Sequence, residues 1–214
     1  FGSSGHARVI LSEILKYKNK YNFLGFVDSS KKNNQTIFNI NKKNYKVISI
    51  KKIKTQKLYG VIGVGDNYLR YKIYKKAIKE LKNIKWETII SKNSIISPNV
   101  KISGGSVVLG NSFIGTGSKI KKHCIINSSN SIDHDNFFES FTSTGPGVIT
   151  GGNVKLDNYS HLGIGCVVKN NISIKKNVIC GGKSYININC NKNSVYVGIP
   201  CKFKKNRKLG DKYL

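Results

Sequence analysis

From Ile90 onward every sixth residue is apolar or small. The series runs Ile90, Ile96, Ile102, Val108, Ile114, Ile120, Ile126, Ile132, Phe138, Thr144, Thr150, Leu156, Leu162, Val168, Ile174 and Cys180. Thirteen of these sixteen positions are Val, Ile, Leu or Phe in a chain that is 39% hydrophobic, so composition alone does not produce the register. A second phase, two residues earlier, holds small or β-branched types: Ser94, Val100, Ser106, Ser112, Ser118, Cys124, Thr142, Val148, Val154, Ser160, Cys166, Ile172 and Val178. Asn130 and Asn136 interrupt that phase. A helix buries positions 3.6 apart and a strand every second residue. A beat of six fits neither as one element. It fits short strands separated by turns, each sending one large side chain inward, and such units bury a face only by stacking.

The beat resembles the hexapeptide repeat of left-handed parallel β-helices, in which three hexads close one triangular coil. Sixteen hexads then imply about five coils, spanning residues 89–190. Stacked strands about 4.8 Å apart would line the inward side chains into ladders.

Residues 1–88 read differently. Gly2-Ser3-Ser4-Gly5-His6-Ala7 is a Gly-rich turn, and Val9, Ile10, Ile14 and Leu15 suit one helix face. Asn22 to Asp28, Val47 to Ile50 and Leu58 to Gly65 read as strands, with a basic stretch at Lys51, Lys52 and Lys54. Tyr68 to Leu81 has helical spacing through Leu69, Ile73, Ala77 and Leu81. This order predicts a small Rossmann-like α/β domain with a parallel sheet. Ligands in such sheets sit at the carboxyl ends of strands, which gathers Gly2 to His6, Asp28, and Gly65 to Arg70 on one rim. A Gly-rich turn before a helix also offers backbone N–H groups to an anion. Residues 191–214 form a tail, with a short strand at Val195 to Val197, an irregular exit, and a frayed end at Lys204, Lys205, Arg207 and Lys208. The mixed fold class is thus an α/β domain followed by a left-handed parallel β-helix. The chain opens on Phe1 and contains no Met, so further residues are expected before it.

The formal net charge is +27. It admits a nucleic-acid or other polyanion binder, yet the lysines are spread along the chain without a dense arm or a recognition motif. They fit solvated surfaces that also steer anionic ligands, and no nucleic-acid or membrane partner is expected. No apolar run approaches the ~20 residues of a membrane span. Cys124, Cys166, Cys180, Cys190 and Cys201 are odd in number and lack a C-x-x-C pair. The first three fall on the repeat phases, as reduced core fillers in a reducing compartment such as cytoplasm.

Chemistry concentrates at Ser131-Ile132-Asp133-His134-Asp135-Asn136. Ile132 points inward, so His134 lies near a coil edge. The flanking acids favour its protonated form and raise its basicity, which suits a general base. His123 and His161 read as packing residues. Their spacings from His134 give no convincing metal cluster, so no metal is expected. No Cys sits beside a His as a nucleophilic dyad.

Taken in order, several motifs resemble the NeuD/PglD kind of bacterial sugar acetyltransferase. They are Gly2-Ser3-Ser4-Gly5-His6-Ala7-Arg8-Val9, Gly25-Phe26-Val27-Asp28, Gly65-Asp66-Asn67 with Arg70, the hexapeptide run, Asp133-His134-Asp135 and Val197-Gly198-Ile199-Pro200-Cys201-Lys202. The resemblance implies transfer of acetyl from acetyl-coenzyme A to the 4-amino group of a nucleotide-linked 4-amino-4,6-dideoxy sugar, within a homotrimer whose active sites lie between subunits. It implies His134 as general base in a direct attack and Asp135 as its supporting acid. Gly5, His6, Asp28, Gly65 and Asn67 would bind the nucleotide sugar. Ser143, Gly152, Ile164, Gly182 and Lys183 would line the coenzyme. Ser143 stands where the family usually has a second His, Ile90-Ser91-Lys92 replaces I-H-P, and Cys201 replaces Ala. A sugar O-acetyltransferase of the sialic acid type shares all these motifs. A polyanion-binding or purely structural β-helix remains the non-enzyme alternative.

Overall fold

The computed structural model describes residues 1–17, 20–40, 42–53 and 58–213. Lys54, part of the basic stretch noted above, lies outside them.

From Ile89 the chain runs through two- or three-residue strands that stack in three parallel ladders. The first ladder holds Ile89–Ile90, Val107–Val108, Ile125–Ile126, Ser143–Thr144, His161–Leu162 and Val178–Cys180. The second holds Ile95–Ile96, Phe113–Ile114, Ser131–Ile132, Ile149–Thr150, Val167–Val168 and Tyr185–Ile186. The third holds Lys101–Ile102, Lys119–Ile120, Phe137–Phe138, Lys155–Leu156 and Ser173–Ile174. In-register partners are eighteen residues apart, as with Ile120 and Phe138, so three hexads close each turn. The interior beat continues past Cys180 to Ile186, which is fully buried, and lengthens the expected five coils to nearly six.

Both sequence phases face the core. Ile114, Ile120, Ile126, Ile132, Phe138, Leu156, Leu162 and Ile174 are 0% exposed, and each contributes about 1.5–3 kcal/mol by burial. Asn130 and Asn136 do not break the second phase. They do in amide form what its serines do by hydroxyl: each bonds a carbonyl fifteen residues ahead. Ser118 Oγ donates to Asp133 O at 3.0 Å, and Asn136 Nδ2 to Gly151 O at 3.0 Å. The corners need one residue each with left-handed backbone. Asn99, Asn111, Asp135, Asn153, Asn171 and Asn177 take it at φ 55–62, because a short polar side chain lowers the cost of that conformation.

The N-terminal region forms a small layered unit. Helix α1 spans Gly5–Leu15 and helix α2 spans Asn67–Glu80. The parallel arrangement holds, but the strands are shorter than the sequence suggests. Of Asn22 to Asp28, only Phe26 bridges, to Val47, through Phe26 N–H to Lys46 O and Ile48 N–H to Phe26 O. Ile50–Lys52 is a 3₁₀ turn rather than strand. Leu58–Gly60 pairs in parallel with Ile84–Trp86, after which the backbone at Val61 and Gly63 bonds Phe1 instead. An unforeseen antiparallel hairpin, Thr36–Ile40 with Lys43–Lys46, buries Tyr45 beside Phe26 and Val47. Its Asn- and Lys-rich outward positions masked it. Val9 is 44% exposed, so α1 buries Ala7, Ile10 and Leu11 instead of the face through Val9. Ile10 meets Ile89, Val107 and Leu109, which seats α1 on the outside of the first ladder.

The tail is not frayed. Lys202–Asn206 returns antiparallel against Ser194–Val197, which extends the first ladder, and Arg207 is buried. All five cysteines are free and buried, and Cys166, Cys180 and Cys190 belong to the apolar core of the β-helix. Among the described residues no helix is long and apolar enough to cross a membrane.

Candidate active site

His134 stands on the corner between the second and third ladders. Its ring is exposed, and its Nδ1 lies 2.9 Å from Asp135 Oδ2. Asp135 can bond it because Asp135 takes the left-handed corner conformation, φ 55. The neighbouring acid bonds elsewhere: Asp133 Oδ1 accepts the His134 backbone N–H at 2.8 Å. The hydrogen bond from Asp135, then the charge of Asp133, raise the His134 pKa above its ordinary value. With Nδ1–H donating to Asp135, Nε2 is left as the proton acceptor. One coil further on, Gly152 faces the ring so closely that a Cβ there would lie 2.5 Å from Nε2 and Cε1. The structure therefore joins His134, Asp135 and Gly152 at one corner.

The N-terminal rim forms around the start of α1. Ser3 Oγ donates to Asp28 Oδ2 at 2.6 Å, and the Ser30 N–H and Oγ donate to Asp28 Oδ1. Partial burial raises the Asp28 pKa, but these hydrogen bonds outweigh it and hold the carboxyl below its usual value. Helix α1 has no side-chain cap and no acid in its first turn, so its leading N–H groups face the rim unneutralised. Gly63 packs against Ala7, where a Cβ would lie 2.5 Å from the Ala7 Cα. That contact brings the loop leading to Gly65 beside Gly5 and His6. A separate cavity of about 580 Å³ lies under α1 and is lined mainly by apolar residues such as Ala7, Leu11, Phe26 and Val61.

Two members of the expected rim are not on it. Asn67 is 0% exposed: Nδ2 donates to Ser160 O at 2.8 Å and Oδ1 accepts from Arg70. Arg70 is 1% exposed and donates to the carbonyls of His123, Val64, Gly65 and Thr142. Both side chains are consumed in latching α2 to the corner between the third and first ladders. Their spacing three apart on a helix was visible, but their β-helix partners are 53 to 93 residues away.

The residues expected along the coenzyme separate as well. Ile164, Gly182 and Lys183 stack on the corner between the first and second ladders, with Lys183 N–H donating to Ile164 O at 2.7 Å. Ile164 is 62% exposed. Ser143 lies elsewhere, buried on the first ladder, with Oγ 2.8 Å from His161 Nδ1. The Tyr213 ring covers His161 at 5.0 Å, and Tyr213 OH accepts the Asn67 backbone N–H. Nothing in the sequence pointed to Tyr213.

The sequence profile of the PglD N-terminal domain matches residues 1–77. Over these residues the chain resembles that domain. The whole fold is shared more widely. PerB from Caulobacter crescentus, solved with CoA and GDP-perosamine, is 22% identical over 95% of each chain, with a TM-score of 0.84. Variants of that GDP-perosamine N-acetyltransferase with one histidine changed to Ala or Asn superpose equally well, at 0.83. The acetyltransferase domain of PglB from Neisseria gonorrhoeae, solved with acetyl coenzyme A, is 23% identical over 95% of this chain and 96% of that one, at 0.84. WeeI from Acinetobacter baumannii is 19% identical over 95% and 97%, also at 0.84.

His123 and His161 lie buried where the PglD-type domain meets the β-helix, His6 lies partly buried at the start of α1, and these imidazoles set an acid limit on stability. Burial, then the Arg70 charge, lowers His6 to about 4, His123 to about 3 and His161 to about 4. His123 is 1% exposed, stacks on Phe141 at 5.0 Å, and has no partner for either ring nitrogen. These pKa values lie below the unfolded value, so the unfolded chain binds more protons in acid. Their contribution is complete above about pH 6.5 and falls as pH drops toward 4, by up to ~1.4 kcal/mol per pH unit for each group. Denaturation midpoints measured from pH 7 to 4 should fall steadily, and His123→Phe should flatten the slope. A slope unchanged by that substitution would contradict this account.

Proposed function

We propose that this protein transfers an acetyl group from acetyl-coenzyme A to the 4-amino group of a nucleotide-linked 4-amino-4,6-dideoxy sugar. The observation that carries the reading is the exposed His134, with Nδ1 on Asp135 and an open Nε2 beside Gly152. The amine attacks the thioester carbon, Nε2 takes the amine proton, and Asp135 stabilises the resulting imidazolium. Collapse of the tetrahedral centre expels the coenzyme thiolate, which leaves the N-acetyl sugar. The uncapped start of α1 beside Asp28 suits the diphosphate and nucleoside of the acceptor sugar. Gly5, His6 and Gly65 border it. Ile164, Gly182 and Lys183 suit the coenzyme along the next corner. The Caulobacter neighbour's bound CoA and GDP-perosamine support both ligand classes.

One copy does not bring the two halves together. The PglD-type domain sits on the third-to-first corner and first ladder, whereas His134 is on the second-to-third corner. A row of outward side chains beside His134, on the second ladder, leaves Ile95, Phe113, Ile149 and Val167 37–65% exposed and in register. Covering that row with a second copy would supply the missing wall, and three copies closing into a ring satisfy every such face. We therefore assign a homotrimer with sites between subunits.

Thiol release from acetyl-coenzyme A should depend on a nucleotide-linked 4-amino sugar. The matched 4-hydroxy sugar should give none; equal release with it would move the assignment to O-acetylation. Gly152→Ala forces the His134 ring aside and should lower turnover about 10–100-fold, with the melting temperature little changed because the new methyl meets only the exposed, movable His134 ring. Wild-type turnover in that variant would detach Gly152 from the positioning of the base.

A further inference from the structure

At the far end of the β-helix three chain segments converge on a cleft of about 520 Å³. A corner turn contributes Lys176, the turn after the last core strand contributes Lys192 and Asn193, and the tail contributes Arg207, Lys208 and Leu209. Hydrogen bonds fix these walls to one another. Asn193 N–H donates to Lys176 O at 3.0 Å and Arg207 N–H to Asn193 O at 2.9 Å. Asn177 Nδ2 donates to Asn193 Oδ1 at 2.8 Å, and Arg207 Nη1 donates to Asn177 Oδ1. Arg207 Nη2 donates to Asp211 O at 2.6 Å. Arg207 is 8% exposed, so the guanidinium is held in the wall and not waving in solvent.

Four cationic residues thus line one concavity. Among the described residues none of them pairs with a carboxylate. The nearby acid, Asp211, has Oδ2 accepting the backbone N–H of Lys208 at 2.7 Å. Lys176 Nζ lies 5.7 Å from the Tyr159 ring. Like charges gathered this way repel one another unless an anion sits among them. The overall charge of +27 does not account for the site by itself. Lys101, Lys119 and Lys155 also lie on one face, on the third ladder, but that face is a flat strand surface with Phe137 set in the row. Among the described residues the end cleft combines cations from three segments in a concavity with a fixed Arg, the arrangement suited to a multiply charged phosphate.

We propose that this cleft binds a compact phosphate anion carrying at least two negative charges, at a site separate from the acetyl-transfer corner. The cleft lies at the third-to-first corner, while His134 and the coenzyme-facing residues occupy the other two. The phosphate can be free, as in inorganic polyphosphate, or a lipid headgroup.

The test uses the full chain saturated with acetyl-coenzyme A and tripolyphosphate as probe, followed by titration calorimetry. Lys176→Glu, Lys192→Glu and Lys208→Glu together should weaken binding about tenfold or more while acetyl transfer persists as the check on folding. Lys101→Glu, Lys119→Glu and Lys155→Glu together make the same charge change elsewhere and should weaken it less than about twofold. Equal weakening by both sets, or no saturable binding to the wild type, overturns the proposal in favour of diffuse attraction. Co-sedimentation with phosphatidic acid vesicles, whose headgroup is a phosphomonoester, displaced by tripolyphosphate, identifies the lipid source. Tripolyphosphate binding without co-sedimentation identifies the free one.

Discussion

His134→Ala is expected to lower turnover at least ~10²-fold, the low end for losing a general base, without a matching loss of stability. The ring is exposed and its one polar partner is its neighbour Asp135, so its removal opens no cavity and strands no buried group. Turnover in the variant should rise again as pH increases, because the amine then loses its proton to solvent. Asp135→Asn gives the companion result. The Asp135 hydrogen bond is the leading cause of the raised His134 pKa, with the Asp133 charge second. A base works only when neutral, so activity should fall on the acid side with a midpoint above the ordinary histidine value. Asp135→Asn should move that midpoint to lower pH and reduce the plateau. Wild-type turnover in His134→Ala would remove this residue from the reaction. An acid limb unmoved in Asp135→Asn would remove the dyad.

The second large effect is on folding. Arg70→Met should cost on the order of 5 kcal/mol, since it strands four backbone carbonyls and Asn67 Oδ1 at ~1 kcal/mol or more each. That is a large share of the usual 5–15 kcal/mol. Burial lowers the Arg70 pKa, yet guanidinium keeps its charge through the accessible range. The hydrogen bonds, more than any ion pair, therefore decide its worth. Arg70→Lys can serve at most three acceptors from one nitrogen, so it should fall between wild type and Arg70→Met. Denaturant titration measures both, and hydrogen exchange should show α2 loosening first. A loss below about 1 kcal/mol in Arg70→Met would mean that apolar packing, of α1 on the first ladder and of Tyr71 and Tyr74 on Phe141, Tyr159 and His123, holds the two halves together.

The α1 part of that packing, Ile10 against Ile89, Val107 and Leu109, is not expected to suffice by itself. It is a small apolar seam on the outside of a β-helix whose own ladder is already closed. The latch residues reach into the corner backbone itself, at His123, Thr142 and Ser160.

The β-helix was legible in the sequence because each hexad makes the same demand at the same place. Phe138 and Ile120 occupy equivalent positions one coil apart, so local pattern and tertiary neighbour coincide. The candidate base was legible for the same reason: inward Ile132 placed His134 at an edge, and the acids on either side were sequence neighbours. What the sequence could not supply were contacts between segments with no common period. The hairpin at Thr36–Lys46, the return strand Lys202–Asn206, the burial of Asn67 and Arg70, and the cover of Tyr213 over His161 all depend on partners tens of residues away. Only the folded chain decides those pairings. A polar side chain such as Asn67 looks the same in one dimension whether it faces a ligand or a buried carbonyl.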